Sequence, residues 1–168
     1  MKKIGLFYSF NTKNTSKIAE KIAKEFGEEN IEKVNVEDVN DKKFLSFDNY
    51  ILGVPTWFEG ELPNYWDEFV PAIEDLDLTG KKVAIFGNGD QVNYPEFFVD
   101  AIGILGSLVE ERGADLIGET SAKDYNFESS KALRKGKFMG LAIDTANQAN
   151  KTDERIKNWV KDLKKKFL

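Results

Sequence analysis

Ile4-Gly5-Leu6-Phe7-Tyr8-Ser9-Phe10-Asn11-Thr12-Lys13-Asn14-Thr15 decides how the chain reads. The run Ile4–Tyr8 has the character of a buried strand and passes directly into a loop of hydroxyls and amides. A helix pattern follows, with Ile18, Ala19, Ile22, Ala23 and Phe26 at helical spacing and Gly27 as its stop. The same order recurs twice. Tyr50–Val54 leads into Pro55-Thr56-Trp57-Phe58-Glu59-Gly60, and Val83–Gly87 leads into Asn88-Gly89-Asp90-Gln91-Val92-Asn93-Tyr94. Apolar runs alternating with amphipathic stretches are the pattern of a parallel sheet with crossover helices. In such sheets ligands sit outside the carboxyl ends of the strands, where strand order reverses. A hydroxyl loop, a Trp loop and a Tyr loop on one edge describe a pocket for a phosphorylated, flat aromatic ligand.

The remaining pattern extends this frame. A second strand is expected at about Lys33–Val36 and a short helix from Pro63 to about Glu74. Lys82–Gly87 reads as the fourth strand, and a long helix is expected from about Pro95 to Arg112, closed by Gly113. Leu116–Gly118 opens a fifth strand, the polar stretch Glu119–Lys137 interrupts it, and Phe138–Ile143 is strand-like again. The last strand therefore reads as split by an insertion. From about Asp153 a terminal helix buries Ile156, Trp159, Val160, Leu163 and Phe167, leaving Lys161, Lys164, Lys165 and Lys166 to water. No linker or repeat divides residues 1–168, so one domain is expected.

Composition removes several classes of chemistry. Neither cysteine nor histidine occurs, which excludes disulfides, thiolate catalysis, Ser-His-Asp triads and the commonest zinc ligand. A formal net charge of −5 argues against sequence-independent nucleic-acid binding and suits a partner with a basic face. No apolar run approaches the ~20 residues that cross a bilayer. Met1-Lys2-Lys3 enters a strand rather than a signal peptide, so a cytoplasmic location is expected.

In the first loop, a strand running into a helix start offers backbone N–H groups and a favourable dipole to an anion. Ser9, Thr12 and Thr15 add hydroxyls, and Asn11 and Asn14 add amides. A plainer reading has Thr12 merely capping the helix. The Gly-x-Gly of dinucleotide sites and the Gly-Lys-Ser/Thr of nucleotide triphosphatases are both missing, which favours a single phosphate. Trp57 and Tyr94 could each be ordinary packing residues; their placement after strands at one edge is what favours a shared pocket.

Several segments together resemble the flavodoxins, specifically their long-chain class. These are Pro55-Thr56-Trp57 with Gly60-Glu61-Leu62, Gly89-Asp90-Gln91 with Tyr94-Pro95, and Tyr125-Asn126-Phe127 through Gly136-Lys137-Phe138 to Gly140-Leu141-Ala142-Ile143-Asp144. Thr152-Asp153-Glu154-Arg155-Ile156-Lys157 with Trp159 completes them. The resemblance implies a three-layer α/β/α fold whose five-stranded parallel sheet runs 2-1-3-4-5. It implies one non-covalent FMN, its phosphate held by Ser9, Phe10, Asn11, Thr12, Lys13, Asn14 and Thr15. The ring would lie among Pro55, Thr56, Trp57, Phe58, Glu59, Gly60, Asn88, Gly89, Asp90, Tyr94 and Phe97, stacked between Trp57 and Tyr94. The peptide after Phe58 would offer its carbonyl to flavin N5–H on one-electron reduction, and Glu59, Glu61, Asp90 and Glu96 would disfavour further negative charge.

The implied function is electron transfer rather than enzymatic turnover, with no metal and with no residue cast as acid, base or nucleophile. The implied partners are a flavodoxin/ferredoxin-NADP reductase and low-potential oxidoreductases, met by a monomer without nucleic acid or membrane. The alternative on the same fold is an NAD(P)H-dependent FMN quinone reductase. A phospho-acceptor signalling domain fits poorly, because Ser9-Phe10 and Val54-Pro55 stand where it needs acids. Two departures from the family pattern Thr/Ser-x-Thr-Gly-x-Thr stand out: Phe10 replaces a hydroxyl, and Lys13 replaces the glycine. Lys13 is therefore expected at positive φ, with Ser9 or Lys13 compensating for Phe10.

Overall fold

The computed structural model describes residues 1–168. Strands β1 (Ile4–Tyr8), β2 (Ile31–Asn35), β3 (Asn49–Gly53) and β4 (Lys82–Asn88) are all parallel. Helices α1 (Asn14–Phe26) and α2 (Asp41–Leu45) lie in the first crossovers, and α3 (Asn64–Asp67) and α4 (Val70–Glu74) join β3 to β4. After α5 (Asp100–Glu111) the fifth position is shared. β5 (Asp115–Leu116) pairs with the start of β4, and β9 (Leu141–Ile143) pairs with Phe86–Asn88 at its end. Between them β6 (Thr120–Ser121), β7 (Leu133–Arg134) and β8 (Lys137–Phe138) form a small antiparallel sheet, and α6 (Thr152–Leu163) follows. The main sheet runs β2-β1-β3-β4-β5, the 2-1-3-4-5 order, with the last strand split by the insertion as the sequence implies.

Alternation along each strand feeds two cores, one per face. Phe7, Tyr50, Leu52 and Ile85 join Phe44, Trp66, Ile102 and Phe138 on one side. Ile4, Leu6, Ile51 and Phe86 join Ile18, Ile22, Trp159 and Leu163 on the other. Burying apolar surface on both faces at ~25 cal/mol per Å² is the main favourable term. The insertion is tied down by aromatic contacts: Phe98 and Phe138 both pack against Tyr125 and Phe127. Arg155 lies 4.0 Å over the Tyr125 ring, whose hydroxyl donates to Ala142 O at 2.7 Å.

Several boundaries differ from the pattern reading. The second strand is Ile31–Asn35, because Val36 already belongs to a 3-10 turn, Val36–Asp38, capped by the Asn35 side chain. The helix expected from Pro63 to Glu74 is two short pieces. Pro71 in the first turn of α4 lacks an N–H and clashes with a preceding turn, so the two cannot fuse. The long helix begins at Asp100, not Pro95. Val99 sits at φ 48°, outside the right-handed helical region, and the Pro95 carbonyl accepts from Glu128 and Ser129 of the insertion. Phe138–Ile143 is no single strand: Phe138 serves the small sheet, and the chain returns to the main sheet only at Leu141. Gly140 makes that return possible, since any Cβ there would run into the Ile85 carbonyl.

Candidate functional site

All three loops open on the carboxyl edge of the sheet. The first is built from below. Ser9 is 1% exposed, and its hydroxyl donates to Glu37 Oε2 at 2.7 Å while accepting from Asn11 N–H at 3.2 Å. Asn11 Nδ2 donates to the same Glu37 oxygen at 2.7 Å, and Phe10 N–H reaches Asn35 Oδ1 at 3.3 Å. Thr12 Oγ1 donates to Ser9 O at 2.7 Å and lies 3.0 Å from Ser16 Oγ. The capping role considered for Thr12 is not seen: Lys13 occupies the cap position, and no side chain caps α1. The N–H groups of Lys13, Asn14, Thr15 and Ser16 consequently find no acceptor in the chain. Four free amides at the start of a 13-residue helix form a ready anion site.

The second and third loops form a cleft of about 380 Å³ lined by Thr56, Trp57, Phe58, Gly89, Asp90, Tyr94 and Phe97. The Trp loop is a tight hairpin in which Trp57 and Glu61 exchange backbone bonds of 2.9 and 2.8 Å, with Phe58 at φ 48° and Gly60 at φ 84°. Thr56 Oγ1 anchors it to the start of α5 by accepting from Ala101 N–H at 3.1 Å. Behind Trp57, the Tyr65 ring meets the indole edge-on at 5.9 Å, and its buried hydroxyl has no partner. Burial, and then the charge of Glu37, pushes that phenol well above the usual tyrosine value.

Asp144 holds the Tyr loop. Fully buried, it accepts from Gln91 N–H at 3.1 Å, Gln91 Nε2 at 2.8 Å and Asn147 N–H at 3.0 Å. Gln91 Oε1 in turn accepts from Asn126 N–H of the insertion at 2.6 Å. Gly89 N–H is spent on Ile143 O and the Asp90 carbonyl on Tyr94 N–H, which leaves the Asp90 N–H without an acceptor in the chain. Burial pushes the Asp90 carboxyl up, but the Asn93 N–H, the Asn147 and Asn93 amides and the Val92 N–H together outweigh it. The group is held below the ordinary carboxylate range and stays ionised.

The family model described as flavodoxin covers residues 6–159. The chain belongs to the flavodoxin family. It is 46% identical to a flavodoxin of Nostoc sp. over 171 aligned residues, spanning 99% of this chain and 98% of that one. A flavodoxin of Buchnera aphidicola is 44% identical over 97% of this chain and 96% of its own length. The crystal structure of Fusobacterium nucleatum flavodoxin bound to flavin mononucleotide superposes with a TM-score of 0.95, at 36% identity and full coverage of both chains.

Against the flavodoxin pattern, the departures resolve unevenly. Lys13 was expected at positive φ; it sits at φ −89°, ψ −60°, so replacing glycine there carries no left-handed strain. Ser9 was expected to compensate for Phe10, but its hydroxyl is buried and bound to Glu37. Phe10 is 47% exposed and leans on Tyr8 at 5.0 Å rather than entering the cleft. Phe58 is 70% exposed at positive φ, and Glu59, Glu61 and Glu96 lie exposed around the rim. Pro55, Glu59, Gly60 and Asn88 flank the cleft without lining it; Asn88 Oδ1 is turned to Thr145, 3.4 Å from its hydroxyl. Pattern reading missed Glu37, Asn35, Asn147 and Asn126 as supports, since nothing local marks residues that act through distant loops.

Proposed function

We propose that the chain is an FMN-dependent electron carrier, with its single flavin ring in the Trp57–Tyr94 cleft and its phosphate on the amides of Lys13–Ser16. The observation that carries this reading is the pairing of a cleft between two aromatic loops with a helix start whose amides are unclaimed. Tyr94 is 52% exposed and Phe58 70%, apolar surface that a stacked ring would cover. Bound FMN supplies one-electron chemistry; the protein supplies binding and electrostatics.

Trp57 and Tyr94, which line the cleft, would exclude water from a bound ring, and Tyr65 braces Trp57 from behind. The Asp90 N–H offers a donor to the polar ring edge. The Asp90 carboxylate, held ionised, would oppose added negative charge on a ring bound in the cleft. Thr12, Thr15, Asn11, Asn14 and Lys13 would surround the phosphate. The rim glutamates Glu59, Glu61 and Glu96 suit transient docking with basic faces of redox proteins, here a flavodoxin/ferredoxin-NADP reductase and low-potential oxidoreductases. No helix is long and apolar enough to cross a membrane. A monomeric, cytoplasmic carrier acting as one unit over residues 1–168 fits this docking mode. The flavodoxin relatives do not favour a quinone reductase.

The test is titration of the apoprotein with FMN, followed by stepwise reduction. A one-to-one complex that takes up its two electrons at separate potentials supports the proposal. A single two-electron wave, or no binding, refutes it.

A further inference from the structure

We infer that Glu37 is a positioning residue that preorganises the phosphate loop in place of the hydroxyl missing at Phe10, an inference that rests on the phosphate site proposed above. Glu37 lies in the 3-10 turn after β2, outside every segment that would touch the flavin. From there it grips the loop at two points, accepting from Ser9 Oγ and Asn11 Nδ2 at 2.7 Å each. The turn itself is set by Asn35, whose Oδ1 accepts from both Glu37 N–H and Phe10 N–H at 3.3 Å. Three successive loop residues, Ser9, Phe10 and Asn11, are thereby bound to one neighbouring turn. Ser9 Oγ passes the constraint on by accepting Asn11 N–H, and Thr12 closes back on the Ser9 carbonyl. The chain enters α1 already shaped, so the four free amides need not be ordered when an anion arrives.

Both bonds to Glu37 end on the same oxygen, Oε2. A glutamine carbonyl can take that place and accept both bonds without a charge. Alanine cannot. This separates preorganisation from charge, because a carboxylate beside a phosphate also repels it.

The experiment compares apoprotein affinities for FMN and for riboflavin, which lacks the phosphate, by quenching of flavin fluorescence. Glu37→Ala should lower the FMN-over-riboflavin preference by about tenfold or more, because ordering the freed loop then opposes phosphate binding. Its riboflavin affinity should stay within about twofold of wild type, and Glu37→Gln should retain or exceed the wild-type preference. An unchanged preference in Glu37→Ala, an equal loss for both flavins, or failure of Glu37→Gln to rescue would overturn the inference. Should Glu37→Ala not fold, Ser9→Ala removes the other end of the same bond and must show the same selective loss. A wild-type chain that binds both flavins alike would instead overturn the phosphate site itself.

Discussion

Replacing Asp144 by alanine should both destabilise the apoprotein and loosen its flavin cleft. The carboxylate is fully buried and accepts from Gln91 N–H, Gln91 Nε2, Asn147 N–H and Asn147 Nδ2. Asn147 Nδ2 keeps Asp90 as a second acceptor, but Gln91 N–H and Asn147 N–H have no other partner in the chain. A buried bond to a charged group is worth about 1.5–3 kcal/mol, and the donors share one acceptor, so the losses do not add. Two buried N–H groups left without an acceptor cost about 1–3 kcal/mol each, so with the weakened side-chain bonds an overall cost of about 3–5 kcal/mol follows. With a urea slope of about 2 kcal/mol/M, the unfolding midpoint should fall by about 1.5–2.5 M. Since the same bonds hold Gln91 and the turn leading to Tyr94, FMN affinity should fall more than tenfold even where the variant remains folded. A midpoint shift under about 0.5 M with unchanged FMN affinity would refute the claim that Asp144 supports the Tyr loop.

Further consequences are open to direct measurement. Trp57→Ala and Tyr94→Ala should each weaken FMN binding by about ten- to a hundredfold, as loss of about 1–3 kcal/mol of stacking implies; isothermal titration reads this. Changing Thr12 and Thr15 together to alanine should raise the FMN dissociation constant while leaving riboflavin affinity nearly unaltered, and equal effects on both ligands would contradict the phosphate assignment. Phe58→Gly removes a left-handed bulky residue that is 70% exposed, so thermal unfolding should show a gain of about 1 kcal/mol rather than a loss. Asp90 has a folded pKa held below its unfolded value, so its contribution is complete above about pH 4 and lost as pH falls through the folded pKa. Acid unfolding of Asp90→Asn should accordingly show a shallower stability loss below about pH 4 than wild type.

The parallel sheet and the locations of its three loops were legible because their signals are local. A strand buried on both faces must be a continuous apolar run, as Ile4–Tyr8 and Tyr50–Val54 are, and a turn to a helix must follow it. The split fifth strand was legible for the same reason: Leu116–Gly118 and Phe138–Ile143 are apolar, and what lies between is not. Boundaries failed where a partner from elsewhere claimed the backbone. The insertion takes the Pro95 carbonyl, so the helix starts at Asp100; the Asn35 side chain takes Glu37 N–H and caps a 3-10 turn, so β2 ends one residue early.

The chain's own residues thus determined the architecture and which side chains reach the sheet's carboxyl edge, since strand burial, helix periodicity and loop composition act over a few neighbouring residues. Tertiary structure alone decided how those loops are held. Glu37 lies 28 residues from Ser9 along the chain and Asp144 lies 53 from Gln91, and no local pattern encodes pairings over such distances. It also decided the backbone of Lys13, which takes φ −89° and ψ −60° where the glycine that lysine replaces in the family pattern implies positive φ.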